Sequence, residues 1–147
     1  MIIDKLLSPA IRKNLSTLTV TTQVIGEVMD FGPKRNLGLL STPYSSGWDI
    51  NVRGATSDGA PTLALQLVTD DDEALPTPTV IWTQTGISLA SLTKFDLFLP
   101  IPSTDLWERY VAFRAVVGVA VYTGGTISIE YTADARNWRA YPAQGNR

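Results

Sequence analysis

The chain contains no cysteine and no histidine. Without cysteine there is no disulfide, no thiolate nucleophile and no thiolate ligand, so the fold must stand without staples in either redox compartment. Without histidine, the commonest general base, transition-metal ligand and near-neutral pH switch are missing. Most hydrolase and metalloenzyme designs are excluded together. Charge is also sparse: 18% of residues are charged and the formal net charge is -2, where phosphate binding needs a basic excess. No nucleic-acid partner is expected. Long apolar runs are lacking as well. The most apolar stretch, 111–122, is broken by Arg114 and falls short of the ~20 residues that span a bilayer. The opening Met1-Ile2-Ile3-Asp4-Lys5-Leu6-Leu7 has no basic segment followed by an apolar stretch and a small-residue cleavage site. A soluble, cytoplasmically made protein with no membrane association and no cofactor is expected.

What remains is a globular composition, 44% hydrophobic over 147 residues. One domain of this size buries roughly two-thirds of the surface of its unfolded chain. From Val24 onward, short β-branched and aromatic runs alternate with Gly, Pro, Asn, Asp and Ser, the texture of an all-β sandwich or barrel. Trp48, Ile50 and Val52 alternate with Asp49, Asn51 and Arg53, which predicts a strand with one wet face. Leu63, Leu65 and Leu67 continue the pattern, as do Phe95, Leu97, Leu99 and Ile101, and then Ile127, Ile129 and Tyr131. The stretch 109–122 reads as one strand buried on both faces, or two meeting at Gly118. Gly124-Gly125 signals a hairpin between it and the Ile127 strand. With further candidates at 24–29, 37–40 and 79–85, about eight strands result, the spacing of a jelly-roll-like antiparallel β-sandwich. Residues 1–22 and 133–147 show no sustained period. They are expected to be N- and C-terminal arms, the first with at most one helical turn, flanking a core at 23–132.

Three constellations invite chemistry, and each has a plainer reading. Asp70-Asp71-Asp72-Glu73 is dense in carboxylates but lacks the spacing and turn glycine of a calcium loop. It reads as a solvated loop guarding a strand end. Paired acids for glycoside hydrolysis are marked by no apolar pocket sequence. A serine nucleophile would need a lysine base, and Lys5, Lys13, Lys34 and Lys94 have no S-x-x-K context. Of the four tryptophans, Trp48 and Trp82 lie in phase with apolar neighbours and Trp107 precedes the buried strand. Trp138, flanked by arginine, is expected to be exposed and suits a protein interface at least as well as a sugar. An enzyme is not expected.

The ordered set Met1-Ile2-Ile3-Asp4-Lys5, Asp30-Phe31-Gly32, Arg35-Asn36-Leu37-Gly38, Leu63 through Asp71, Arg109-Tyr110 and Tyr141-Pro142 resembles the small capsid cement (decoration) proteins of short-tailed bacteriophages, of the Bordetella-phage type. The resemblance runs through almost the whole chain. It departs from the family pattern in its tryptophan content, its Pro76-Thr77-Pro78 loop and its Asn137-Trp138-Arg139 tail. It implies a jelly roll on the exterior of a virion capsid, made in the bacterial host cytoplasm and bridging neighbouring major capsid proteins. It also implies a homo-oligomer, with a dimer favoured and a trimer open.

Ordering a flexible residue costs about 1–2 kcal/mol, a cost that partner contacts return, so the arms are the expected contact elements. The residues expected at a capsid or subunit interface are Ile2, Ile3, Leu6, Leu7 and Arg12 in the first arm, and Arg136, Trp138, Arg139 and Tyr141 in the second. The plainer reading packs both ends on their own sandwich. The alternative function is a tail- or fibre-associated β-sandwich that binds host glycans.

Overall fold

The computed structural model describes residues 2–4, 8–32, 46–102 and 104–133, with 2–4, 46 and 133 described as backbone. Ten strands follow one another: β1 (Ile2–Asp4), β2 (Ala10–Asn14), β3 (Thr22–Val24), β4 (Met29–Asp30), β5 (Ser46–Thr56), β6 (Thr62–Asp70), β7 (Thr79–Ser88), β8 (Lys94–Pro100), β9 (Tyr110–Gly118) and β10 (Gly124–Ala133). Single 3-10 turns at Leu15–Thr17 and Ser91–Thr93 interrupt the connections.

Every pairing is antiparallel. β1 and β2 lie one after the other along the same edge of β10, and β3 and β4 do the same along β9. The first sheet therefore runs β1/β2, β10, β5, β8, and the second runs β3/β4, β9, β6, β7. Inward-facing residues of both sheets form one core. Trp48 of β5 meets Phe113 of β9 edge-on, with ring centroids 5.4 Å apart, and meets Tyr131 of β10 at 6.0 Å. The molecule is an all-β sandwich of two antiparallel sheets.

The period-2 patterns account for the central strands. Trp48, Ile50 and Val52 are buried while Arg53 is exposed, and Leu63, Leu65 and Leu67 point into the same core. In β9 the residues Val111, Ala112 and Phe113 are buried in succession. Ala112 belongs to a smaller cluster with Val68 and Leu75 on the outer side of the second sheet. That strand is covered on both faces over this stretch and ends at Gly118.

Several local expectations fail. No hairpin joins 109–122 to the Ile127 strand, because β9 and β10 belong to different sheets and residues 119–123 cross between them. Gly125 instead adopts φ 105 in the register shift between β10 and β5, where an added Cβ would lie 2.7 Å from the Ala55 Cα. The strand expected at 24–29 is split at Gly26. There φ is 73, and an added Cβ would lie 1.8 Å from the Pro9 carbonyl oxygen, so only glycine lets the two segments pass. Residues 1–22, expected as an arm, are built into the sandwich where they are described: 2–4 and 10–14 extend the first sheet and Thr22 opens the second. A short edge strand offers too few side chains for a period to register: of the five residues of β2 only Ala10 is buried. The strand expected at 37–40 lies outside the described residues.

Candidate interaction surface

Of the nine expected interface residues, Leu6, Leu7, Arg136, Trp138, Arg139 and Tyr141 lie outside the described residues. The backbones of Ile2 and Ile3 pair with Ala133 and Thr132. Arg12 is exposed on β2 with φ 49, and its amide donates to the Ser128 Oγ at 2.9 Å. This contact fills the register break between Ile127 and Ile129, and the bulge turns the Arg12 side chain and its exposed neighbour Ile11 toward solvent.

One end of the sandwich gathers charge. Asp30 pairs by register with Tyr110, which pairs on its other side with Asp70. Arg109 grips Asp30 as a fork, Nε to Oδ1 at 2.9 Å and a terminal nitrogen to Oδ2 at 2.8 Å. The Gly32 amide donates to the same carboxylate at 2.7 Å. The guanidinium also lies over the Tyr110 ring, 5.0 Å from its centroid. The Arg109 hydrogen bond, then that of Gly32, lowers the Asp30 carboxyl to about 2, and the same pair raises the Arg109 guanidinium. Asp30, Asp70 and the Arg109-Tyr110 pair, far apart in the chain, thus meet at one end of the sandwich.

The acidic run is turn chemistry. Asp70 is the buried last residue of β6, not a solvated loop residue. Its two oxygens accept from the amides of Asp72 at 3.1 Å and Thr77 at 3.0 Å, and Asp72 accepts from Ala74 at 2.9 Å. These bonds hold a turn that seats Leu75, at φ 52, on Val68 and Ala112. Thr69 completes the frame: its hydroxyl donates to the Tyr110 carbonyl and accepts from the Glu108 amide, both at 2.9 Å. Among the described residues no three acidic side chains gather around a common point suited to a metal ion.

The opposite end is nearly neutral. Its four connections, 15–21, 57–61, 89–93 and 119–123, contain one charged residue, Asp58. Val20, Val119 and Val121 are exposed there. Val119, at φ 71, is the centre of a three-residue turn closed by Ala120 donating to the Gly118 carbonyl at 2.8 Å. A β-branched residue in that conformation stores about 1–3 kcal/mol.

The two sheet faces also differ. Outside the first sheet stand Asp49, Asn51, Arg53, Asp96 and Glu130, with Arg53 and Asp96 ion-paired. Outside the second, the rows Thr22, Val116, Ala64 and Val24, Arg114, Gln66, Thr83 hold one charge, Arg114. It donates to the Gln66 Oε1 at 2.8 Å, while its buried Nε has no partner. Among the described residues the tryptophans are drawn inward: Trp48 and Trp107 are buried, Trp82 is half-buried against the core, and Trp107 donates to the Pro102 carbonyl at 3.1 Å; Tyr122 is buried too, while Phe98 and Tyr110 are half-buried on the outer faces. Every large hydrophobic residue exposed among the described residues is aliphatic. Sequence reasoning missed the Asp30 and Arg109 partnership because no local spacing links residues 79 apart. No protein-family model matches the chain, and the search of curated proteins found no match.

Proposed function

We propose that this chain is a structural virion protein without catalytic chemistry, a jelly-roll cement protein that binds the outside of a phage capsid and bridges neighbouring major capsid proteins. The strand order supports the fold half of this reading. With the broken edge strands counted as one lane each, the lanes in chain order run 1-8-3-6 in one sheet and 2-7-4-5 in the other, the order of a double-sheet jelly roll. That architecture also serves lectins, so function has to be argued from the surface.

The observation that carries the choice is the placing of apolar groups. A sugar platform needs an exposed aromatic face. Among the described residues the exposed apolar groups are instead valine, isoleucine and leucine, spread over a rigid sandwich, which suits modest contacts repeated by symmetry. Arg12, Arg136 and Arg139 supply planar cations for an acidic protein lattice.

The test uses shells stripped of the protein. Added back, the full chain should rebind at a copy number that divides into the lattice symmetry and should raise the shell's resistance to mild disruption. Removing residues 134–147, or replacing Arg139 by Ala, should weaken rebinding more than Lys94→Ala does. Binding on a glycan array with no effect on shell strength would reverse the order in favour of a host-glycan binder.

A further inference from the structure

Among the described residues three that are not glycine adopt positive φ: Arg12, Leu75 and Val119. The fold accounts for two of them. Arg12 forms the bulge whose amide meets the Ser128 hydroxyl, and Leu75 is seated on Val68 and Ala112. Val119 has no such role, because it is 80% exposed. Ala120 donates to the Gly118 carbonyl at 2.8 Å around a φ of 71, the rare and strained form of the three-residue turn. Glycine or asparagine would hold the same backbone with less strain, so the fold does not require the valine side chain.

The neighbouring loops hold this side chain out. The Ser57 hydroxyl donates to the Val121 carbonyl at 2.6 Å and accepts from the Gly59 amide at 3.1 Å. An added Cβ on Gly59 would lie 2.7 Å from the Ala120 Cβ, so the loop at 57–61 lies against the turn. On the other side the Gln23 amide group donates to the Thr19 carbonyl at 2.7 Å and accepts from the Thr19 amide at 3.3 Å. The Val117 amide donates to the Thr21 carbonyl, which brings Val20 alongside the turn. Val20 and Val121 are each half exposed. The end of the sandwich is thus a braced tip that presents aliphatic groups.

We infer that this neutral end is a docking surface for a folded protein, with Val119 entering an uncharged, apolar-lined pocket of the shell and Val20 and Val121 packing at its rim. The inference rests on the cement reading and names the surface that reading leaves open. Charge and side-chain type select the partner. The connections 15–21, 57–61, 89–93 and 119–123 contain no lysine or arginine and one acid, Asp58, so an anionic lipid surface would meet no cation. Tyr122 is buried, so a sugar would meet no aromatic platform at this end. A rigid aliphatic knob without charge matches the apolar centre of a protein interface. Its position matters as well. β10 runs from Gly124, beside this end, to Ala133 at the charged end, where residues 134–147 begin. A protein that bridges two neighbours needs contacts at two separate places, and this tip lies opposite the second arm.

The test uses the full chain and shells stripped of it. Val119→Asn keeps the left-handed turn and removes the apolar knob. It should weaken rebinding at least about tenfold, the loss expected when a buried valine leaves its pocket. The melting temperature should hold or rise, because the strain is relieved. Val20→Thr combined with Val121→Thr should weaken rebinding as well, whereas Val80→Thr, at an exposed valine on β7, should not. A smaller loss with Val119→Asn, an equal loss with Val80→Thr, or a fall in melting temperature would overturn the inference. So would binding to phosphatidylglycerol vesicles that Val119→Asn abolishes, since the tip would then be a membrane contact. An unaltered chain that does not rebind shells sinks the cement reading and this inference with it. Rebinding that the tip variants share in full sinks only this inference.

Discussion

Asp30 and Arg109 stand at opposite ends of the sequence of the second sheet and close the charged end of the sandwich with a two-bonded fork. Both groups are about half exposed, so solvent screens the pair and its stabilisation is modest. Its pH signature is nonetheless defined. The folded carboxyl titrates near 2, below its ordinary 3.8, so the contribution is complete above 3.8 and disappears as pH falls through 2. Urea denaturation of Asp30→Asn against the unaltered chain should therefore show a stability gap at pH 5 that narrows toward pH 2. A gap independent of pH would mean that packing, not charge, is lost. Tyr122 is the reverse case. Its hydroxyl is buried without a partner and burial pushes it up to about 12. Tyr122→Phe removes an unpaired polar group and should leave stability unchanged or raise it by up to about 1 kcal/mol, and the unaltered protein alone should retain a loss of stability between pH 10 and 12 as the phenol titrates.

At the scale of the element, the turn after β6 shows how an acid-rich segment serves packing. Asp70 and Asp72 accept backbone amides that would otherwise be left open, and the resulting turn carries Leu75 back onto the outer face of the second sheet. Leu75→Ala should destabilise the domain by about 2 kcal/mol, the lower end of the range for truncating a buried leucine, since its cluster is small. Chemical denaturation checks the value; a change below about 0.5 kcal/mol would class Leu75 with ordinary surface positions. In the sequence this segment was legible as a loop after a strand, though Asp70 was read as solvated and is buried. The hydrogen bonds of its carboxylates were not legible, because an Asp that caps a turn and an Asp that faces water have the same neighbours in the chain. The Gly124-Gly125 pair failed for a related reason. Two glycines announce a departure from ordinary strand geometry, but whether the chain folds back or crosses to the other sheet depends on where β5 lies.

For the whole molecule, the strand order shapes what each surface offers. Lanes that cross between sheets bring four Ser-, Thr- and Val-rich connections to one end and the acidic turns to the other. Among the described residues they also leave β7 and β8 at the margins of the two sheets, β8 carrying Lys94 and Asp96 and β7 no charge. The expected shell rebinding belongs to this scale, because it needs a surface that no single element owns. A protein with no cysteine should also keep its oligomeric state unchanged by reductants, which size-exclusion chromatography with and without reductant reads.

The sequence by itself determined the chemistry that is impossible here, since missing side chains cannot be supplied by folding: no thiolate, no imidazole and no basic excess. It also determined which residues of β5, β6, β8 and β10 face the core, because strand side chains alternate whatever the partner strand. Only the tertiary structure decided that residues 2–4 and 10–14 are sheet edges, that β9 and β10 separate, and that Asp30 meets Arg109. Period is a property of neighbours in the chain, whereas pairing joins residues far apart in it and is chosen by the burial of the whole core.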